Sequence, residues 1–429
     1  MKRVGSLLLR GGSLCVVALF LIGCQQHPRP SDAASPVDVT GLLQDKDLQS
    51  LGMKIFFDSN LSTPPGQACA ACHSPAVGWT GPEEELNKAG SIYPGAVHTR
   101  FGNRKPNASA YATLTPSFHA VRKGDDVVFV GGDFWDGRAT GWKLGNPAAD
   151  QAQGPFLNPV EQNNPDAKAV VGKICGSAYA AEFRDVAKRI WAIEDVCAAN
   201  TELTYGIVAI AIAAYEHSPM VNQFSSKYDL YLAGNASLTA EEKKGLELFE
   251  GKAKCSNCHT SRPGPKGEPP LFTDFTYDNI GVPKNPDNPW YTMPAEFNPE
   301  GNKWVDPGLE GFLKEVPQYA MYAKENFGKH RIPTLRNVDL RPRASFVKAY
   351  GHNGYFKSLE GIVHFYNTRD VLPRADAVAD PSPGVNSWPP PEVTANINKE
   401  ELGNLGLTTA EEAAVVAFMK TLSDGYKPM

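Results

Sequence analysis

The chain has 429 residues, which is enough for two domains of ordinary size, and 42% of them are hydrophobic, which is ample for a buried core. Its 42 basic and 47 acidic side chains give a net charge of −5 and include no long basic run. This distribution excludes a strongly basic surface for nucleic acid, so no nucleic-acid partner is expected.

The N-terminal segment has the features of an export signal. Basic residues precede an apolar stretch that is too short to span a membrane as a helix. The stretch ends in Leu21-Ile22-Gly23-Cys24, which looks like the lipobox of bacterial lipoproteins. We therefore predict a lipoprotein signal at residues 1–23 and a linker at residues 24–47. A lipid on Cys24 would anchor the protein in the periplasm, at the outer membrane in particular. The alternative is a plain signal peptide with an incidental cysteine.

Two copies of a Cys-x-x-Cys-His pentad carry the strongest chemical signal, and together they comprise Cys69, Cys72, His73, Cys255, Cys258 and His259. The spacing lets both thiols bond to the vinyl groups of one haem, while the adjacent histidine becomes an axial ligand of the iron. A zinc site or a redox pair would explain one Cys-x-x-Cys, but not two copies that are each followed by histidine. The sequence therefore predicts two covalently bound haems c, with His73 and His259 as iron ligands.

The surroundings of the two pentads repeat as well. A short amphipathic helix is predicted before each pentad, at residues 52–56 and 245–249. Thr239 with Glu242, and Thr408 with Glu411, have the spacing of a capping box that opens a helix. We predict a mainly α fold of two cytochrome c-like domains in tandem with long loops, at residues 48–235 and 236–429.

The segments between the pentads give weaker signals. Residues 203–215 are apolar nearly all round, which is typical of a buried helix, and residues 127–130 are strand-like. Residues 261–329 and 375–406 are rich in proline, glycine and asparagine, and we interpret them as ordered loops around the second haem.

Two cysteines lie outside the pentads and the N-terminal segment, Cys175 and Cys197. In an exported protein such a pair favours a disulfide, and the alternative is two unpaired buried thiols.

Several motifs resemble one family, the bacterial di-haem cytochrome c peroxidases and their MauG-type relatives. The resemblance covers residues 48–424 and rests on four stretches, which are Phe134-Trp135-Asp136-Gly137-Arg138-Ala139, Phe272-Thr273-Asp274 with Asn279-Ile280-Gly281, Pro333-Thr334-Leu335-Arg336-Asn337-Val338, and His352-x-Gly354 with Leu359-Glu360. It implies that the N-terminal haem meets peroxide and that the C-terminal haem passes electrons. It also implies that Trp135 lies between the haems, whereas without the motif Trp135 would be an ordinary core aromatic.

The resemblance also implies a distal pocket at the first haem, formed by Gln151, Pro155 and Glu161. These residues follow the Phe-Trp-Asp-Gly-Arg motif a few positions later than is usual in the family. Cleavage of a peroxide bond needs a group that takes a proton and returns it, which a glutamate can do. Without the family, Glu161 would be interpreted as a solvated surface acid.

Two family properties, a histidine ligand from a loop and a calcium ion between the domains, are not settled by this sequence. Peroxidases that need reductive activation have a loop histidine on the first iron, and His98 stands in the corresponding stretch, although MauG-type relatives lack such a ligand. The family binds calcium between its domains with an asparagine where this chain has Lys105. A charged lysine has no lone pair for calcium, so calcium is left open and the ammonium group is the alternative occupant.

The sixth ligand of the second haem distinguishes the two branches of the family. The position of the axial methionine in the peroxidases, counted from His352, falls on Tyr366, and MauG-type relatives place a tyrosine there. The alternatives are His364 as the ligand, or Tyr366 as a buried core residue.

Together these features predict a periplasmic di-haem peroxidase that reduces hydrogen peroxide at the N-terminal haem. The C-terminal haem would oxidise a small redox protein or an amino-acid side chain of a client protein. The alternative is a non-catalytic electron-transfer cytochrome, in which both irons are six-coordinate in every state.

Overall fold

A computed structural model describes residues 39–428, and this part of the chain is mainly helical. Its α-helices, in chain order, are α1 (Thr40–Leu43), α2 (Lys46–Phe57), α3 (Glu84–Lys88), α4 (Pro147–Leu157), α5 (Ala167–Cys175), α6 (Ala180–Trp191), α7 (Thr201–His217), α8 (Lys227–Leu232), α9 (Ala240–Glu250), α10 (Leu309–Leu313), α11 (Leu359–Thr368) and α12 (Thr409–Lys420). The predicted fold class is confirmed. None of the helices in this part of the chain is long and apolar enough to cross a membrane.

The N-terminal core is centred on α2 and α7. Helix α7 is apolar on all sides and is buried from Thr204 to Glu216, which confirms the helix predicted there. Gly52 of α2 lies directly against α7, where a Cβ atom would overlap the carbonyl oxygen of Ala211. The absence of a side chain at this position lets the two backbones approach closely.

The C-terminal core repeats this arrangement with α9 and α12. Gly245 of α9 lies against α12, where a Cβ atom would overlap the carbonyl oxygen of Ala414. Both predicted capping boxes are confirmed, because Thr239 and Thr408 each accept a hydrogen bond from the N3 backbone N–H and the N3 glutamate bonds back.

A third core joins the two halves of the chain. Strands β1 (His119–Lys123) and β2 (Asp126–Val130) form an antiparallel hairpin in which His119 pairs with Val130, so the strand-like run at residues 127–130 is confirmed. Phe118 directly precedes the hairpin and Phe129 lies within it. Both residues pack against three buried residues from the second half, Leu309, Leu313 and Tyr319. A second short pair, β3 (Tyr277–Asp278) with β4 (His330–Arg331), lies within the C-terminal half.

Packing in the two cores extends slightly beyond the predicted segment boundaries. Val39 and Leu43 are buried in the N-terminal core, so the packed part of the chain begins before the predicted end of the linker at residue 47. Tyr228 of α8 belongs to the C-terminal core, so the chain enters that core before residue 236. The signal at residues 1–23 and the lipidation candidate Cys24 lie outside the described residues.

The remaining cysteine pair forms a disulfide. Cys175 at the end of α5 is bonded to Cys197, with the two Cα atoms 5.9 Å apart. The bond ties α5 to the segment that leads into α7, and the prediction of this pairing is confirmed.

Candidate functional site: two histidine-containing cavities

Each pentad forms the same local structure on the wall of a cavity. A short 3-10 turn begins at Cys69 and another at Cys255, and in each turn the backbone N–H of the following histidine donates to the carbonyl of the first cysteine. The first cavity, of about 400 Å³, is lined by Cys69, Cys72 and His73. The second, of about 220 Å³, is lined by Cys255, Cys258 and His259. All four of these thiols are free of disulfide bonds.

Nδ1 of both pentad histidines faces a backbone carbonyl. His73 Nδ1 lies 3.3 Å from the carbonyl oxygen of Trp79, and His259 Nδ1 lies 2.8 Å from that of Phe272. When Nδ1–H donates to a carbonyl, the Nε2 lone pair is left for a metal. Burial lowers the pKa of both imidazoles and thereby favours the neutral form that binds iron. The residues of both cavities therefore fit a covalently attached haem.

Tyr366 and His364 have different environments, although both are on α11. Tyr366 lines the second cavity together with His259 and both cysteines of its pentad. Burial, with a smaller contribution from the two thiols, raises the pKa of the Tyr366 phenol. His364 is not among the residues that line this cavity, and its Nδ1 lies 3.0 and 3.1 Å from the carboxylate oxygens of Glu412. Of the two competing ligands, only Tyr366 is placed at the cavity.

The three residues predicted to form the distal pocket come together at the first cavity. Gln151 and Pro155 are on α4, and Glu161 follows four residues after the helix ends at Leu157. The Glu161 carboxylate accepts a hydrogen bond of 2.7 Å from Asn158 Nδ2. Burial raises the pKa of Glu161, while the positive charge of Arg138 acts in the opposite direction. The displacement from the usual spacing does not remove the glutamate from this cavity.

Trp135 lies between the two cavities and lines both of them. Its side chain is 9% exposed, and its Nε1–H donates to the carbonyl oxygen of Lys105 over 2.8 Å. Its ring centroid is 6.3 Å from that of His352 in an edge-to-face contact.

Lys105 also lines both cavities and is buried. Its ammonium group donates to Thr80 Oγ1 over 2.9 Å and to the carbonyl oxygen of Pro106 over 3.0 Å. Burial, assisted by the charge of Lys357, lowers the pKa of Lys105 to about 8. The amino group of a buried lysine therefore occupies the region between the cavities. His98, by contrast, is exposed and does not line the first cavity, so the structure gives no support to His98 as a ligand there.

A buried polar cluster beside Trp135 was not predicted from the sequence. Arg104 donates to Asp136 over 2.6 Å and to both oxygens of Asp306. His330 Nε2 lies 3.3 Å from Asp306, and the rings of His330 and His352 are stacked with centroids 3.6 Å apart. Asp306, His330 and His352 have potential metal-ligand atoms within 4.8 Å of one another, but Asp306 is already engaged by Arg104. Asp136 and His352 stood in recognised motifs, whereas nothing local in the sequence marks Asp306 or His330.

These features define a di-haem c-type cytochrome, and comparison with known proteins agrees. The family model described as di-haem cytochrome c peroxidase matches residues 46–237. The chain is 32% identical over 428 residues to the methylamine utilization protein MauG of Paracoccus denitrificans, covering 98% of this chain and 97% of that protein. It is 26% identical to the cytochrome-c peroxidase IdrP1 of Denitromonas iodatirespirans, covering 97% and 92% of the two chains.

A solved structure is similar over most of its length. The di-haem peroxidase BthA of Burkholderia thailandensis has 29% sequence identity and a TM-score of 0.71, covering 89% of this chain and 87% of that one. The chain thus belongs to the family of di-haem cytochrome c peroxidases and MauG. It is therefore an oxidoreductase, and membership of this family implies two c-type haems.

Proposed function

We propose that this protein reduces hydrogen peroxide at its N-terminal haem and oxidises a partner through its C-terminal haem. The observation that carries the proposal is that Trp135 lines both cavities and therefore stands on the path between them. A non-catalytic electron carrier would need no acid beside either haem, whereas the first cavity has Glu161 on its wall.

The proposed haem attachment uses the two pentads, with thioether bonds to Cys69 and Cys72 in the first domain and to Cys255 and Cys258 in the second. His73 and His259 are the proposed proximal ligands, because Nδ1 of each ring is directed at a backbone carbonyl. Bound haem supplies iron that binds peroxide and exchanges electrons. We propose two domains with boundaries near residues 47 and 235, with Val39 and Leu43 packed on the first domain and Tyr228 on the second.

In the first cavity, Glu161 is proposed to take a proton from one peroxide oxygen and return it to the leaving oxygen. The Asn158 hydrogen bond holds the carboxylate in place, and burial keeps its pKa above the usual value, closer to the range a proton shuttle needs. Gln151 can only donate or accept hydrogen bonds, and Pro155 forms an apolar part of the wall.

In the second cavity, Tyr366 is proposed to place its phenolate oxygen on the iron. A hard anionic ligand stabilises oxidised iron, so this haem would share the oxidising equivalents that peroxide generates. That property supports a MauG-type reaction with an amino-acid side chain of a client protein over electron uptake from a high-potential redox protein. The similarity to MauG along nearly the whole chain is consistent with this choice.

The cation between the cavities is proposed to be the Lys105 ammonium in place of calcium, because this amino group donates there to two oxygen acceptors, Thr80 Oγ1 and the carbonyl of Pro106. We also propose export to the periplasm and anchoring through a lipid on Cys24, both on the basis of the N-terminal sequence.

The test of the proposed function is the reaction of the Glu161→Gln variant with hydrogen peroxide. Glutamine keeps the size and the hydrogen bonding but removes the base, so the rate of the spectral change on mixing should fall by roughly 10²-fold or more. The exposed Glu315→Gln variant is the matched control and should react like wild type. If Glu161→Gln reacts as fast as wild type, Glu161 does not transfer the proton. If wild type itself does not react with peroxide, the protein is an electron carrier.

A further inference from the structure

A second tryptophan lines the first cavity and is not used by the mechanism above. Trp290 is on the cavity wall near Asn103 and Arg104, and it is held there by Asn288, which accepts from the Trp290 backbone N–H and donates to the carbonyl of Asn103. The Nε1–H group of Trp290 is buried and has no hydrogen-bond acceptor among residues 39–428. A buried donor without a partner is costly, so the position of this indole calls for a reason.

Trp290 is linked to the protein surface by a second indole. The rings of Trp290 and Trp304 meet edge to face, with centroids 6.1 Å apart and planes at 73°. Trp304 is half-buried and follows two exposed residues, Asn302 and Lys303. Two adjacent indoles therefore lead from the wall of the first cavity to the surface, on a path that includes neither Trp135 nor the second cavity.

We propose that Trp290 and Trp304 form an electron-entry route from the surface to the first haem. The proposal rests on the proposed function, because hydrogen peroxide is the oxidant. Peroxide takes up two electrons and two protons and yields two molecules of water. Each electron that passes along the route leaves Trp304, crosses to Trp290 and replaces one that peroxide removed from the first haem. An outer-sphere one-electron donor at the surface then restores Trp304.

The surroundings of Trp290 favour onward electron transfer over retention of the oxidised state at this residue. No protein group among residues 39–428 accepts the Nε1 proton, so no protein base takes that proton from an oxidised Trp290, and the residue recovers an electron from the adjacent Trp304. Tyr291 is an alternative electron donor to oxidised Trp304, because the centroids of the two rings are 6.2 Å apart. The Lys284 ammonium lies 4.0 Å over the Tyr291 ring and opposes removal of an electron from it. Tyr291 is also buried, so this alternative donor does not reach the surface.

The experiment exposes the holoprotein to hydrogen peroxide under anaerobic conditions, without a donor, in water labelled with heavy oxygen. When no donor is present, Trp304 and one molecule of labelled water should together lose two electrons, which pass to the oxidised haem, and release two protons, which leaves one labelled oxygen atom on Trp304. Peroxide that attacks the indole directly would deliver unlabelled oxygen instead. Mass spectrometry of peptides measures the label on Trp304, which should fall by about tenfold or more in Trp290→Phe, because loss of the relay indole raises the barrier to transfer.

Tyr291→Phe is the matched control and should carry the wild-type amount of label on Trp304. The haem content and ferric spectrum of Trp290→Phe must equal those of wild type, and Trp304→Phe gives an independent readout if they do not. In Trp304→Phe the peroxide-oxidised spectrum should persist for longer than in wild type. The route is refuted if the haems are oxidised but Trp304 carries no label from water, or if Trp290→Phe is labelled like wild type. If peroxide leaves the haem spectra unchanged, the proposed function fails as well.

Discussion

Tyr366 and His364 show how helix geometry decides between two residues that sequence counting alone leaves in competition. Residues two positions apart on an α-helix point about 200° apart, so both cannot face the same cavity. In α11 the tyrosine faces the second cavity, and the histidine lies against Glu412 and the ring of Trp388. The choice between them depends on which face of the helix packs on the cavity, and that choice is made by residues far away in the chain.

The residue-scale prediction is that Tyr366→Met raises the reduction potential of the C-terminal haem, on the order of 0.1 V or more, and changes its ferric spectrum. A thioether is a softer, neutral ligand that favours reduced iron, whereas a phenolate favours oxidised iron. Spectroelectrochemical titration of the holoprotein measures the potential. His364→Asn is the control and should leave the potential near that of wild type, because its ring is directed at Glu412. An unaltered potential and spectrum in Tyr366→Met would remove the tyrosine from the coordination sphere.

At the scale of the elements, the two halves of the chain contain the same type of contact between two helices. The helix before each pentad, α2 or α9, has a glycine that lies against the carbonyl oxygen of an alanine in the partner helix, α7 or α12. In each partner helix an aromatic residue four positions later, Tyr215 or Phe418, lies against the same glycine. This close contact positions the helix that leads into the pentad, and therefore the wall of the cavity.

The element-scale prediction concerns Gly245 of α9. Alanine there would overlap the backbone of α12, so Gly245→Ala should lower the free energy of unfolding by about 1–3 kcal/mol, which is typical of overpacking in a core. Gly172 is the matched control, because it is an exposed glycine within helix α5 where an added Cβ atom would meet no neighbouring group within 4 Å. Gly172→Ala should leave the stability unchanged or raise it by up to about 1 kcal/mol. Urea unfolding of the two variants and wild type provides the comparison, and equal stabilities for both variants would contradict this account.

At the scale of the whole molecule, the features that could be predicted from the sequence are those that neighbouring residues determine. The pentads, the capping boxes at Thr239 and Thr408 and the apolar helix α7 each have a signal contained within a few residues. The third core and the cluster around Asp306 join segments that are far apart in the chain, so no local periodicity or spacing reveals them. The distal pocket is intermediate, because the family resemblance marked Glu161 while the structure was needed to place it at the first cavity.

The last prediction tests the assignment of the cysteines across the whole molecule. A pyridine haemochrome assay with protein quantitation should give two c-type haems per chain, because the two pentads line separate cavities and their thiols are free. Replacing Cys255 and Cys258 together with serine should remove one of the two covalent haems. The matched control replaces Cys175 and Cys197, which are bonded to each other away from both cavities, and should keep two. A value near one haem for wild type, or loss of covalent haem in the control, would show that the pentads do not have the roles proposed for them.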